Sequence, residues 1–123
     1  MDSTQPSTPL VASAETTSAV LAHHLGAFAK GIDEIMADYD ESSVLITPDR
    51  IFRGLADIHG FFERFLDQAT PQFWEAFELG AHSVESDIAY ITWWSEPAVT
   101  LATDTLLVRG GRIAIQTFTS FAR

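Results

Sequence analysis

From Phe73 onward the chain has little option but β-structure. "FWEAFELGAHSVES", "IAYITWWS", "VTLATDTLLV" and "RIAIQTFTSFA" follow one another, rich in branched and aromatic residues and divided by Ser-Asp, Glu-Pro and Gly-Gly. Connections this short join neighbouring antiparallel strands, so the second half reads as a meander. Upstream the hydrophobic period changes. Leu21, Leu25, Phe28 and Ile32 recur at helical spacing until Gly31 interrupts, and "IDEIMADY" continues as a shorter helix with Asp33, Glu34 and Asp38 on its polar side. "SVLITPD" and "RIFRG" form two short strands about Pro48-Asp49. "LADIHGFFERFLDQA" is then a third helix with an aromatic face, which Pro71 ends. Helices first and strands last make an α+β fold. An antiparallel sheet carries three N-terminal helices on one face and curls around them to leave an apolar pocket.

The 123 residues suffice for one core, and 46% hydrophobic content supports a folded domain. Residues 1–14, rich in Ser, Thr and Pro, read as a disordered tail, and residues 15–123 as a single domain. Seventeen acidic residues against seven Lys and Arg give a formal charge of -10, which repels nucleic acid and anionic membrane surfaces alike. No cysteine is present, no metal-ligand spacing such as HExxH occurs, and no phosphate loop appears, so neither metal nor cofactor is expected. The first residues lack a secretion signal and no run reaches transmembrane length, so a cytoplasmic protein is expected.

The hairpin "TDTLLVRGGRIAIQTF" holds an acid and an amide among apolar residues. A two-residue Gly110-Gly111 loop opposes Arg109 to Arg112 and sends Asp104 and Gln116 to opposite faces. A three-residue loop, Arg109 to Gly111, places them opposite each other. The second avoids opposing two arginines and is preferred. One face then holds Ala102, Asp104, Leu106, Ala114, Gln116 and Phe118. The other, with Leu101, Thr103, Leu107, Ile113 and Ile115, suits pairing with a second subunit.

The element order, with "HHLGAFAKGIDEIMADY", "VLITPDRIFRGLADIHGFF" and the hairpin, resembles the nuclear transport factor 2-like superfamily, in particular its SnoaL-like and ketosteroid-isomerase-like members, over about residues 15–122. The most specific element is Gly54 after an apolar strand, followed by Ile58 and the Phe61-Phe62 pair. The resemblance implies a cone-shaped curved sheet wrapped around the helices, a deep apolar pocket and often a homodimer. It places Asp104 where ketosteroid isomerase keeps a protonated carboxylic acid for an oxyanion, His24 at the position of a tyrosine partner, and Tyr39 at that of a supporting tyrosine. It also directs Tyr90, Thr92 and Trp94 inward. The family's general base falls at Thr47, which cannot abstract a proton at ordinary pH, so the familiar isomerase mechanism is not expected.

Helical phase supports an inward His24: it lies about 60° from Leu21 on the helical wheel, while His23 lies nearly opposite and meets solvent. His24 and Asp104 are thus the residues for any acid-base chemistry. Tyr39, Phe62, Tyr90, Thr92, Trp94, Gln116 and Phe118 are those expected to contact a ligand. Three functions remain open. The protein binds a small hydrophobic molecule at a polar end formed by His24, Asp104 and Gln116; or it is an isomerase, dehydratase or cyclase acting on an apolar carbonyl compound; or it is a non-catalytic dimerisation domain.

Overall fold

The computed structural model of the chain describes residues 9–122. Helix α1 spans Pro9–Ala27. The boundary of the open tail, set at Glu15 by composition, therefore falls inside a helix whose first position is a proline, where a missing N–H is tolerated. Residues 1–8 lie outside the described residues. Among the described side chains of α1, Thr17, Val20, Leu21, His24 and Ala27 are buried, a stripe at helical spacing. Gly31, at φ 113°, breaks the helix and starts the five-residue α2, Ile32–Met36.

Strands β1, Val44–Ile46, and β2, Ile51–Arg53, form the short hairpin. Helix α3, Gly54–Gln68, buries Gly54, Ile58 and Phe62, four residues apart. Gly54 sits at φ 81°, and a Cβ there would lie 3.1 Å from Glu41 Oε1. The segment after α3 departs from the strand expected at Phe73: Pro71–Ala76 is a fourth helix, α4. Thr70 caps it, accepting the Phe73 N–H at 3.1 Å, and Pro71 occupies a first-turn position. The capped turn overrides the β-preference of Phe73 and Trp74.

Strands β3, Phe77–Glu85, β4, Ile88–Ser95, β5, Val99–Arg109, and β6, Arg112–Phe121, complete a six-stranded sheet in the order β2-β1-β6-β5-β4-β3. It is antiparallel except between β1 and β6, where Val44 lies opposite Ile115 in a parallel pair. That pair departs from the all-antiparallel expectation: the first and last strands of the chain meet side by side, and no hairpin joins them to force an antiparallel direction. The core lies between the helices and one sheet face, with Leu45, Ile58, Leu106 and Ile113 each 1% exposed or less.

The β5–β6 turn corrects the expected register. Gly110 and Gly111, at φ 57° and 74°, form a two-residue loop with both central residues left-handed, and Arg109 faces Arg112. Both arginines are exposed, so water screens the repulsion on which the three-residue loop was preferred. The register then shifts between Leu107 and Val108, whose partners are Ile115 and Ile113, leaving Ala114 as the extra residue of a bulge. The two-residue turn sets Ile113 opposite Val108 in the core, and the bulge then restores the even residues to the inner face from Gln116 on. Asp104 and Gln116 share that face as diagonal neighbours: Gln116 pairs with Leu106, and Asp104 with Phe118.

Candidate functional site

Between α1, α3, α4 and the inner sheet face lies a cavity of about 370 Å³. Aromatic side chains make most of its wall, among them Phe28, Phe61, Phe62, Phe65, Trp93 and Phe118, meeting largely edge to face. Of the lining residues, only His24, Asp104, Gln116 and the two indoles, Trp74 and Trp93, carry polar side-chain atoms.

Strand β4 shows which tryptophan enters. Ile91 pairs with Asp104 and Ala89 with Leu106, so the alternation turns Ala89, Ile91, Trp93 and Ser95 inward. Tyr90, Thr92 and Trp94, expected to contact a ligand, face the other side. Tyr90 is 40% exposed, Thr92 accepts the Ala81 N–H at 2.8 Å, and Trp94 packs across Gly80. The inward set is the more apolar of the two, since it exchanges Tyr and Thr for Ala and Ile.

Trp93, which the sequence left undecided against Trp94, is central to the polar end. Its Nε1–H donates to Asp104 Oδ1 at 2.9 Å, Gln116 Nε2 donates to Asp104 Oδ2 at 2.8 Å, and Tyr39 donates its phenolic hydrogen to Gln116 Oε1. All four side chains are buried. Burial raises the Asp104 pKa above the ordinary aspartate value, against the lowering effect of the Trp93 and Gln116 hydrogen bonds and of His24 nearby. Burial, reinforced by the Asp104 and Asp38 charges, holds the Tyr39 phenol well above its usual range. The network is satisfied within itself, so Asp104 has both oxygens engaged before any ligand arrives.

His24 differs. It is 4% exposed, and its ring meets Phe28, Tyr39 and Phe62 edge to face at centroid distances of 5.2, 6.0 and 6.1 Å. Its Nδ1 lies 3.4 Å from Asp38 Oδ2, and neither atom has a hydrogen-bond partner among the described residues. The other Asp38 oxygen, Oδ1, is 2.7 Å from His23 Nδ1, and His23 Nε2 is 2.7 Å from Glu34 Oε2. These bonds raise the His23 pKa, Glu34 contributing most. His23 is thus a bridge between two carboxylates, where helical phase alone sent it to solvent.

Asp38 is the site residue that the sequence reading missed. Placed on the polar side of a helix through Tyr39, it instead follows the end of α2 at Met36, in a turn that bends it back under α1. Its carboxylate, on a residue 5% exposed, faces the Nδ1 edge of the cavity-lining His24 ring. Thr47 lies outside the cavity. Its hydroxyl is spent in the β1–β2 turn, donating to Arg50 O at 3.1 Å and accepting from the Arg50 N–H at 3.2 Å.

A curved sheet closed by helices over an aromatic cavity defines a class of small α+β pocket proteins. Within that class the chain has the nuclear transport factor 2-like fold. It is similar to an NTF2-like protein of unknown function from Mesorhizobium loti, at TM-score 0.72 and 18% identity over 89% of this chain and 93% of the other. A SnoaL-like protein of unknown function from Burkholderia thailandensis matches at TM-score 0.69 and 14% identity, over 88% and 96%. A proposed ketosteroid isomerase of Kribbella flavida matches at 0.66 and 15%, over 90% and 82%. Identities this low show the fold alone. No family model and no curated protein matches the sequence.

Proposed function

We propose that the chain binds a small, mostly apolar molecule in the internal cavity and holds one hydroxyl of that molecule, which donates to His24 Nε2, the ring nitrogen that Asp38 does not face. The observation that carries this reading is the contrast at the polar end: Asp104, Gln116, Tyr39 and Trp93 satisfy one another, whereas the cavity-lining His24 makes no hydrogen bond among the described residues. The aromatic wall supplies affinity through burial, and the single imidazole sets orientation.

The His24–Asp38 pair also favours a second reading, acid-base turnover of a carbonyl compound. A carboxylate beside Nδ1 selects the tautomer with its proton there and makes Nε2 a proton acceptor toward the cavity. His24 then takes the role that Thr47 cannot fill, and Asp104 remains a fixed part of the wall.

A thermal-shift panel of small aromatic alcohols, phenols and sterols tests the binding reading. A ligand at 100 times its Kd adds about 2.7 kcal/mol, a rise of very roughly 10 °C, and His24→Leu should diminish the response to the hydroxyl-bearing ligands while the variant remains folded. A panel without any rise would sink it. The outer sheet face carries Tyr90, Leu101 and Ile115, each 39–45% exposed. We assign this row to pairing with a second copy of the chain. Sedimentation should show a dimer that Tyr90→Lys dissociates; a monomer at every concentration would remove that assignment.

A further inference from the structure

Beyond the inner cavity lies a wider groove of about 820 Å³, bounded by the β1–β2 turn, the last turn of α3 and the outer ends of β5 and β6. Phe61, Phe65, Trp93 and Phe118 line both spaces, so the two share one aromatic wall. His24, Asp104 and Gln116 do not line the groove. Instead it holds Arg50 and Arg64, two of only seven Lys and Arg in a chain of charge -10.

Both guanidinium groups are gathered over one ring. Arg50 Cζ lies 4.4 Å and Arg64 Cζ 5.9 Å from the centroid of the buried Phe52. Stacking on a ring fixes the plane of a guanidinium and leaves its N–H edges free for an anion. Neither arginine is committed to a strong internal partner. Arg50 approaches Asp57 only to 4.0 Å, with both side chains more than 40% exposed, and Arg64 has no carboxylate within 4.0 Å among the described residues. Asp49 is the one acidic residue on the groove wall. Elsewhere the protein's field repels anions, so a local pair of cations at the mouth of an apolar cavity is a selective feature.

We propose that the molecule bound in the cavity carries a carboxylate, which Arg50 and Arg64 receive in the groove while its apolar body lies along Phe61, Phe65, Trp93 and Phe118. The proposal rests on the reading of the inner cavity as a binding site and narrows its ligand to an amphipathic acid. Arginine pairs carboxylates through two parallel N–H bonds, and both guanidinium groups lie over the Phe52 ring, which gathers their N–H groups at one place in the groove. Asp49 sits where it repels the same group and limits the affinity.

The test is calorimetric titration of the whole chain with 4-(1-naphthyl)butanoate and with the uncharged 4-(1-naphthyl)butan-1-ol. The carboxylate should bind about tenfold more tightly than the alcohol. That advantage should vanish in Arg50→Gln/Arg64→Gln and shrink with added salt, with alcohol binding unchanged. Asp49→Asn should tighten carboxylate binding a few-fold. Equal binding of the two probes by the wild-type chain would overturn the carboxylate assignment and leave the cavity reading standing. An advantage that persists in the double variant would likewise overturn it. Binding of neither probe would overturn both. The arginines are exposed surface residues, so loss of folding does not account for a changed ratio; a thermal melt of each variant checks this.

Discussion

Gln116→Leu removes the residue that joins the two halves of the polar network. Gln116 is 2% exposed; it donates to Asp104 Oδ2 at 2.8 Å and accepts from Tyr39. Leucine fills nearly the same space but makes neither bond. The Tyr39 hydroxyl, on a residue 3% exposed, loses its partner, at a cost of about 1–3 kcal/mol. Asp104 keeps only the Trp93 bond, and its second oxygen costs a similar amount. The added apolar burial of leucine offsets roughly 1 kcal/mol. The net loss is then on the order of 2–4 kcal/mol, read by urea unfolding with tryptophan fluorescence. Tyr39→Phe in the same background should restore about 1–2 kcal/mol, because it deletes the orphaned hydroxyl. A Gln116→Leu change below about 0.5 kcal/mol, with strict additivity against Tyr39→Phe, would refute the network as described.

Three further outcomes follow from named contacts. Burial raises the folded Asp104 pKa, so the folded state holds its proton more firmly than the unfolded chain. The associated stability is complete below the ordinary aspartate value of about 3.9 and is lost as pH rises through the folded value. Relative to Asp104→Asn, wild type should therefore lose stability across that rise; parallel curves would contradict it. His23, raised first by Glu34 and then by Asp38, contributes stability that is complete below its ordinary pKa of about 6.5 and fades as pH climbs through the raised folded value. An NMR titration should find His23 above that value and lower it in Glu34→Gln; an unchanged midpoint would remove the bridge. At Gly80 a Cβ would lie 2.6 Å from both Thr92 Oγ1 and Trp94 Cζ3. Gly80→Ala should destabilise by about 1–3 kcal/mol in urea, and a neutral result would mean that Trp94 does not cross that glycine.

The fold was legible where a local signal and the global arrangement agree. Leu21 to Ile32, Gly31, Gly54 and the Pro71 stop each announce an element or its end. Where two readings had equal local support, the sequence could not choose. "PQFWEA" carries β-forming aromatics, yet Thr70 and Pro71 were the available signal for a capped turn of helix. Pairing of β1 with β6 depends on where a crossover lands, which no local period reports. The shared face of Asp104 and Gln116 was anticipated, but through a three-residue loop; the chain reaches it with a two-residue turn and a bulge at Ala114. In β4 each face carries a tryptophan, so alternation alone left the phase open. Of the site, His24, Tyr39, Phe62, Asp104, Gln116 and Phe118 come together around the cavity or its polar network, whereas Tyr90, Thr92 and Trp94 do not. Asp38 escaped notice because a helical wheel has no meaning two residues past the helix end.

The central claim is that the inner cavity takes an apolar ligand whose hydroxyl donates to His24 Nε2. NMR titration of isotope-labelled protein with 2-naphthylmethanol tests it most directly. Saturable shifts of the His24 ring, the Trp93 indole N–H and the Gln116 amide, with ligand NOEs to Phe62 and Phe118, are the predicted result. Shifts confined to Tyr90, Leu101 and Ile115 on the outer sheet face, or none at all from a folded protein, would contradict the account.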